Sequence, residues 1–156
     1  MSYTLLIEPN ELLHQRAEYV HEVDEKIKYI GTRMMNIVNS KGAVGLAGPQ
    51  IGVSLRIIAL NTPGGLHGVF INPEIMMTGI RLETGFNGEQ VVEKDDEQCL
   101  SLPGKSFKVW RNKYINVMMQ SINDIAPTSY NLQDMEARIL QHEIDHLNGI
   151  LISDKR

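Results

Sequence analysis

Hydrophobic residues recur at helical spacing in two stretches of the chain. In the first, residues 24–40, they alternate between steps of four and three positions, which places them on one face of a helix. These residues are Val23, which directly precedes the stretch, and Ile27, Ile30, Met34 and Ile37 within it. Asp24 and Glu25 favour the positive end of the helix dipole, and Gly42 provides a stop signal. The pattern predicts an amphipathic helix over residues 24–40.

The second helical stretch, about residues 133–147, is apolar on two sides. At about 100° per residue, one apolar sector surrounds His142 and a second lies opposite it. The first sector holds Met135, Ile139 and His146, and the second holds Ala137, Leu140, Ile144 and Leu147. Asp134, Arg138, Gln141 and Asp145 occupy the polar strip that remains. This arrangement predicts a buried, central helix, which Asn148 and Gly149 cap at its C-terminus.

Between the two helices the hydrophobic period changes to two, which indicates β-strands. Strand-like segments lie at 55–60, 68–72, 74–83, around 89–97 and at 114–120, and residues 150–152 suggest a short final strand. Turn signals fall at 63–65, 72–73 and 87–88. We therefore expect one domain, residues 1–156, with an α+β fold. Mostly antiparallel strands would pack around the central C-terminal helix, with another helix nearer the N-terminus.

Composition and charge exclude several classes of protein. A net charge of −4 with ordinary apolar content is unlike both a nucleic-acid-binding protein and a disordered chain. No apolar run is long enough to span a membrane, and the N-terminus lacks signal-peptide or transit-peptide character. We expect a cytoplasmic protein, in a bacterial or bacterial-host cytosol, without a membrane or specific nucleic-acid partner. Nothing demands a partner subunit, so a monomer is expected.

The C-terminal helix carries an HExxH pattern at residues 142–146. Residues four apart share one helix face, so the imidazoles of His142 and His146 can reach one metal ion. Glu143 projects about 100° further round, where a general base would stand. It falls between the two apolar sectors, which predicts partial desolvation and a raised carboxyl pKa. Two histidines in the core or on the surface, without any metal, remain the alternative.

A third ligand has to come from upstream, because only Asp154 among the metal-ligating residue types follows His146. Cys99 is the strongest candidate, since thiolate and imidazole together suit Fe(II), Zn or Ni. Three protein ligands leave a position for water, as in catalytic sites. The alternative is that Cys99 is a buried apolar residue. As the only cysteine of the chain, it cannot form an intrachain disulfide.

Residues 42–52 are rich in glycine and alanine, so their backbone can pass close to another group. Alone, this segment is better explained as a glycine-rich turn between a helix and a strand. Together with two other segments it resembles a known family. GLAGPQ at 45–50, EQCLS at 97–101 and QHEIDHL at 141–147 are similar, in order and spacing, to the motifs of the peptide deformylases. The resemblance covers nearly the whole chain.

The resemblance implies a metal-dependent hydrolase that removes the N-terminal formyl group from N-formylmethionyl peptides or nascent chains and releases formate. Cys99, His142 and His146 would hold one divalent metal ion per chain, Fe(II) in vivo, with Zn, Ni or Co as substitutes. Glu143 would act as general acid and base on a metal-bound water. The Gln50 side-chain amide and the Leu100 backbone N–H would meet the developing oxyanion.

Substrate contacts are expected on both sides of this centre. Val44, Gly45 and Leu46 would pair with the peptide backbone as an added strand. Met135 and Ile139 share the histidine face, so we expect them to line a methionine pocket, although plain core packing would place them there equally well. Gln98 stands where the family usually has Gly and adds bulk beside the expected substrate.

Two other residues depart from the family pattern. Ala43 replaces a usual Gly, and Gly48 replaces a usual Ala. Many bacterial members continue into a C-terminal helix that does not follow here. A transient contact with the ribosome is therefore an expectation left open.

Charged residues around the cysteine motif suggest a supporting network. We expect Glu97 and Arg111 to form an ion pair that holds the Cys99 loop, with Asp145 joining them. Arg138 is expected to be a solvated surface residue, with a place on the pocket rim as the alternative. A metallopeptidase, or a non-enzymatic module that binds formylated N-termini, remains an alternative function.

Overall fold

The computed structural model describes residues 3–79, 81–82, 85–86 and 90–155. Its helices are α1 (Glu25–Lys41) and α2 (Asp134–Leu147), with short 3-10 helices at Glu11–His14, Gly48–Ile51 and Ile152–Asp154. The strands are β1 (Gly45–Ala47), β2 (Ile57–Asn61), β3 (His67–Thr78), β4 (Arg81–Leu82), β5 (Gly85–Phe86), β6 (Val92–Cys99), β7 (Leu102–Asn112), β8 (Tyr114–Ser121) and β9 (Thr128–Gln133). The fold is α+β, as expected.

The strands form three antiparallel sheets. The largest has five strands in the order β1-β2-β3-β8-β9, so β1 lies at one edge. β6 and β7 form a separate two-stranded hairpin, and β4 pairs with β5. The edge position of β1 leaves one side of its backbone unpaired by the sheet.

The five-stranded sheet is covered on both faces, and the period of two assigns its side chains to them. On one face, Ile57 and Ala59 of β2 pack with α1, which contributes Ile30 and Met34. On the other face, the α2 side chains Ala137, Leu140, Ile144 and Leu147 join residues of β2 and β8. Both helices therefore pack on the sheet, and α2 is the buried central helix that the sequence predicted.

Both predicted helices form close to their expected bounds. The Asp24 side chain accepts a hydrogen bond from the Ile27 backbone N–H at 2.9 Å and caps α1. Gly42 ends α1 with φ 61°, a left-handed conformation that favours glycine. At the other helix, Arg56 donates to the Leu147 carbonyl at 2.9 Å and to Asn148 Oδ1 at 3.0 Å. The C-terminal end of α2 is thereby tied to the sheet.

Several predicted boundaries are wrong. Residues 72–73 are not a turn, since β3 continues through them with a shift in register after Ile71. Asn72 adopts a positive φ of 53°. Its side-chain Oδ1 accepts from the Val20 N–H, and its Nδ2 donates to the Val20 carbonyl. The predicted final strand at 150–152 does not form, because residues 150–151 are irregular and a 3-10 helix begins at Ile152. Asp154 Oδ2 caps this helix by accepting from the Leu151 N–H at 2.9 Å.

In the central part of the chain, only some of the observed strands match predicted ones. Strands β7 and β9 were not predicted, whereas β2, β6 and β8 lie near predicted segments. The predicted turn at 87–88 and part of the predicted strand at 74–83 lie outside the described residues. Within the described parts of the chain, neither helix has the length and apolar character needed to cross a membrane.

Candidate metal centre and active site

A cleft of about 830 Å³ opens between α2, the segment that leads into β1, and the β6-β7 hairpin. Its walls include Lys41, Val44, Gly45, Gln50, Gln98, Leu100, Met135 and Ile139. Cys99, His142 and Glu143 also line it. The three sequence motifs, which lie far apart along the chain, therefore meet at one cavity.

Three potential metal ligands converge at this cavity. The Cys99 Sγ lies 3.3 Å from His146 Nε2, and His146 Nε2 lies 3.2 Å from His142 Nε2. All three ligand atoms lie within 4.8 Å of one another. Sulfur and nitrogen ligands about 2.0–2.3 Å from one tetrahedral metal lie roughly 3.3–3.8 Å apart. The spacing of these residues therefore fits a shared metal ion with little rearrangement.

The two histidines differ in their surroundings. His146 is buried, its Nδ1 has no hydrogen-bond partner among the described residues, and burial lowers its pKa well below the usual value. Burial opposes a charge on His142 as well, but hydrogen bonds with Cys99 and Glu97 raise its pKa to about 10. A metal ion needs both imidazoles neutral, so binding it would displace the His142 proton.

Glu97 organises the residues behind the histidines. Its Oε1 lies 2.8 Å from His142 Nδ1, and Arg111 donates to both of its carboxylate oxygens at 2.9 Å. Arg111 also pairs with Asp145. Burial raises the pKa of Glu97, but hydrogen bonds with His142 and Arg111 outweigh burial and hold the pKa well below its usual range. The expected ion pair therefore also fixes the ring of a candidate ligand.

Arg138 corrects one expectation. It is buried rather than solvated, and its Nη1 donates to Glu97 Oε2 at 2.7 Å and to the Val109 carbonyl at 2.9 Å. The helical wheel placed Arg138 on a polar strip, but the strip packs against β6 and β7. Gln141 on the same strip is likewise buried and bonds to the Asn112 backbone. The polar strip thus anchors α2 to the hairpin that carries Cys99.

Glu143 is buried beside the three candidate ligands, as its place on the wheel predicted. Its Oε2 has no hydrogen-bond partner among the described residues. Burial raises its pKa to about 7. A carboxyl group with this pKa can both accept and release a proton near neutral pH.

Gly45 makes room for this carboxyl group. A Cβ at Gly45 would lie 2.7 Å from Glu143 Oε1. The backbone of residues 42–52 does pass close to another group, as its small residues predicted, and at Gly45 that group is the Glu143 side chain.

Gln50 lies on the 3-10 helix Gly48–Ile51 and is buried at the edge of the site. Its Oε1 accepts a hydrogen bond from the Ala47 N–H at 3.0 Å, which fixes the amide orientation. Its Nε2 then donates to Ser101 Oγ at 3.2 Å and lies 3.5 Å from Cys99 Sγ. Ser101 is fully buried and was not singled out from the sequence; its place in the cysteine motif was the available signal.

Most of the predicted substrate residues line the cleft. Val44, Gly45, Gln98, Met135 and Ile139 line it. Gln98, Val44 and Met135 are exposed at its walls, whereas Ile139 is buried.

Leu46 differs from the other predicted substrate residues because its side chain is fully buried in the core. Its backbone lies in the edge strand β1. This still permits the expected backbone pairing, but it excludes a side-chain contact.

Comparison with known proteins identifies the family of this chain. The family model of polypeptide deformylase matches residues 3–156. A peptide deformylase of Dictyoglomus thermophilum is 37% identical over 92% of this chain and 86% of its own length. The crystal structure of a Thermotoga maritima peptide deformylase superposes with a TM-score of 0.87 and 32% identity, over 99% of this chain and 97% of that one.

A third comparison is a Synechococcus elongatus peptide deformylase in complex with actinonin. It has a TM-score of 0.85 and 30% identity, over 98% of this chain and 78% of that one. Fold, motifs and cleft thus lead to one conclusion: the chain belongs to the peptide deformylases, metal-dependent hydrolases that remove the N-terminal formyl group from nascent peptides.

Proposed function

We propose that residues 1–156 act as one deformylase domain in which Cys99, His142 and His146 hold one divalent metal ion. The observation that carries this proposal is the convergence of the three ligand atoms within 4.8 Å, beside a buried Glu143 oxygen that lacks a hydrogen-bond partner among the described residues. A bound metal supplies Lewis acidity, which acidifies water and polarises a carbonyl group.

Fe(II) is the proposed native metal, with Zn, Ni and Co as substitutes. One thiolate and two imidazoles form a mixed sulfur and nitrogen donor set, which suits these ions better than Mg or Ca. The support from Glu97 to His142 orients one imidazole and strengthens it as a donor.

Glu143 is the proposed general base and acid. It accepts a proton from the attacking water and later donates one to the amine of the departing peptide. Its burial supports this role because a raised carboxyl pKa allows both transfers near neutral pH. The described residues offer its Oε2 no hydrogen-bond partner that would compete for a proton.

Gln50 and the Leu100 backbone N–H are the proposed oxyanion donors. The Gln50 Nε2 lies 3.5 Å from Cys99 Sγ, so the amide reaches the edge of the metal centre. The bond between its Oε1 and the Ala47 N–H supports a preorganised donor, which stabilises developing charge without reorganisation. Leu100 directly follows Cys99 and lines the same cleft.

An N-formylmethionyl peptide is the proposed substrate, bound in extended form along the free edge of β1 at residues 44–46. Its methionine side chain packs against Met135 and Ile139, which are apolar and lie on the cleft wall formed by α2. The nascent chain is accordingly the partner, and the cytosol, where it is made, is the proposed compartment. A monomer completes the site, because every residue assigned here comes from one chain.

Formate release tests the proposal. The protein is loaded with Fe(II), or separately with Ni(II) or Zn(II), without oxygen and given formyl-Met-Ala-Ser. We expect formate from the formylated peptide, fastest with Fe(II), and no cleavage of unformylated Met-Ala-Ser. Absence of formate with all three metals would overturn the proposal, and cleavage of Met-Ala-Ser would indicate a metallopeptidase.

A further inference from the structure

An N-terminal strap, residues 5–8, crosses the segments that flank the active site. The Leu6 N–H donates to the Gln50 carbonyl at 2.7 Å, and the Glu8 N–H donates to the Ser101 carbonyl at 2.9 Å. One acceptor lies on the 3-10 helix that carries the Gln50 amide, and the other lies two residues after Cys99. The strap is therefore fixed to both sides of the candidate oxyanion site.

The hydrogen-bond pattern also fixes the faces of the strap. Donation by residues two positions apart toward one side is typical of extended backbone, in which alternate side chains point to opposite faces. Leu6 packs with the buried cluster that includes Cys99 and Leu102. Leu5 and Ile7 point the other way and line the cleft.

Ile7 is exposed within this cleft wall. It is 42% accessible, although it is a large apolar side chain. Leu100 lines the same cleft and is only partly buried. Neither side chain is needed for the metal or for proton transfer, so this apolar surface is available to a ligand.

The cleft is large enough for more than methionine. Its volume of about 830 Å³ lies in the range of pockets that hold a drug-sized molecule, several times one side chain. In an extended peptide, successive side chains point to opposite faces. If methionine faces Met135 and Ile139 on α2, the side chain of the next residue faces away from α2, toward walls built by other segments.

We propose that Ile7 is a specificity-determining residue that favours an apolar side chain directly after formylmethionine. This side chain packs on the surface formed by Ile7 and Leu100. The inference rests on the proposed function and adds to it a selection for the second substrate residue. Leu6 and Glu8 hold the surface in place through their bonds to the Gln50 and Ser101 carbonyls.

The test compares kcat/KM for formyl-Met-Leu-Ser and formyl-Met-Ser-Ser, using the Fe(II) protein. We expect the wild type to prefer the leucine peptide. Ile7→Ser should lower the preference roughly three- to tenfold, as loss of a partly exposed apolar contact would. Ile7→Leu should retain it. The matched control is Leu12→Ser, because Leu12 is similarly exposed at 39% but does not line the cleft.

The outcomes separate the inference from the function. If Ile7→Ser lowers kcat/KM equally for both peptides, or leaves the preference intact, Ile7 does not select the second residue. A thermal unfolding midpoint close to that of the wild type shows that the variant is folded when the ratio is measured. Formate from neither peptide with the wild type would overturn the proposed function, and the inference with it.

Discussion

The backbone of Gly45 lies directly against the carboxylate of Glu143. A Cβ at Gly45 would lie 2.7 Å from Oε1 and 3.0 Å from Cδ of Glu143, closer than real side-chain carbons approach. Because residue 45 has no side chain, β1 and α2 can pack this closely. The edge strand proposed to bind the peptide is thus in direct contact with the proposed base.

Gly45→Ala is expected to displace the Glu143 carboxylate and leave the metal bound. A displacement of about 1 Å in a catalytic group can cost roughly 100-fold in rate, so kcat/KM for formyl-Met-Ala-Ser should fall by that order. Metal content is measured on the same sample by atomic absorption. We expect one metal ion per chain, as proposed for the wild type.

Gly64→Ala is the matched control for this change. Its Cβ would lie 2.7 Å from Oε1 of another glutamate, Glu136, but at an exposed turn that does not line the cleft. This variant should keep wild-type activity. Equal losses in the two variants, or a normal rate in Gly45→Ala, would contradict the positioning role of Gly45.

Glu97→Gln tests the network behind the metal centre. The amide can no longer accept from His142, Arg111 and Arg138 as a carboxylate does, and it leaves two buried guanidinium groups undercompensated. We expect a metal affinity about 10–100-fold lower and a free energy of unfolding lower by about 3–5 kcal/mol. Titration with a competing chelator measures the first, and urea denaturation the second.

Glu93→Gln controls for a general effect of charge on β6. Glu93 lies on the same strand but is exposed, and its side chain pairs with Lys113 at 3.3 Å. Removing an exposed pair costs little stability because water screens it, and metal affinity should not change. If both variants bind metal equally well, Glu97 does not support the site.

Cys99→Ser tests the proposed metal ligand that lies outside the helix. A hydroxyl is a poorer donor than a thiolate for Fe(II), Zn or Ni. The metal affinity should therefore fall by more than the roughly 10–100-fold that loss of a supporting hydrogen bond costs. Equilibrium dialysis with Ni(II) provides the measurement, and an affinity equal to that of the wild type would exclude Cys99 as a ligand.

Much of the site followed from periodicity and side-chain chemistry. The helical wheel placed Glu143 between two apolar sectors, and the structure buries it there. The shortage of downstream ligands directed attention to Cys99, which the fold brings to 3.3 Å from His146. Local rules were sufficient here because one helix holds His142, Glu143 and His146 in a fixed geometry.

Features that depend on distant partners were harder to predict. Arg138 looked solvated because its buried partner, Glu97, lies 41 positions earlier in the chain. β9 was missed because its residues are mostly exposed and polar, and its pairing with β8 rather than an apolar pattern defines it. Asn72 resembled a turn residue, but its side chain serves as the binding partner of the Val20 backbone.

The central proposal is that Glu143 transfers protons while three other residues, Cys99, His142 and His146, hold the metal. The variant Glu143→Ala tests it most directly. Metal content and formate release from formyl-Met-Ala-Ser are measured on one Fe(II) preparation made without oxygen. We predict about one metal ion per chain and a kcat/KM lowered by roughly 10²- to 10⁴-fold, the contribution typical of a general acid and base. A variant that keeps its metal and deformylates at a near wild-type rate would contradict the account.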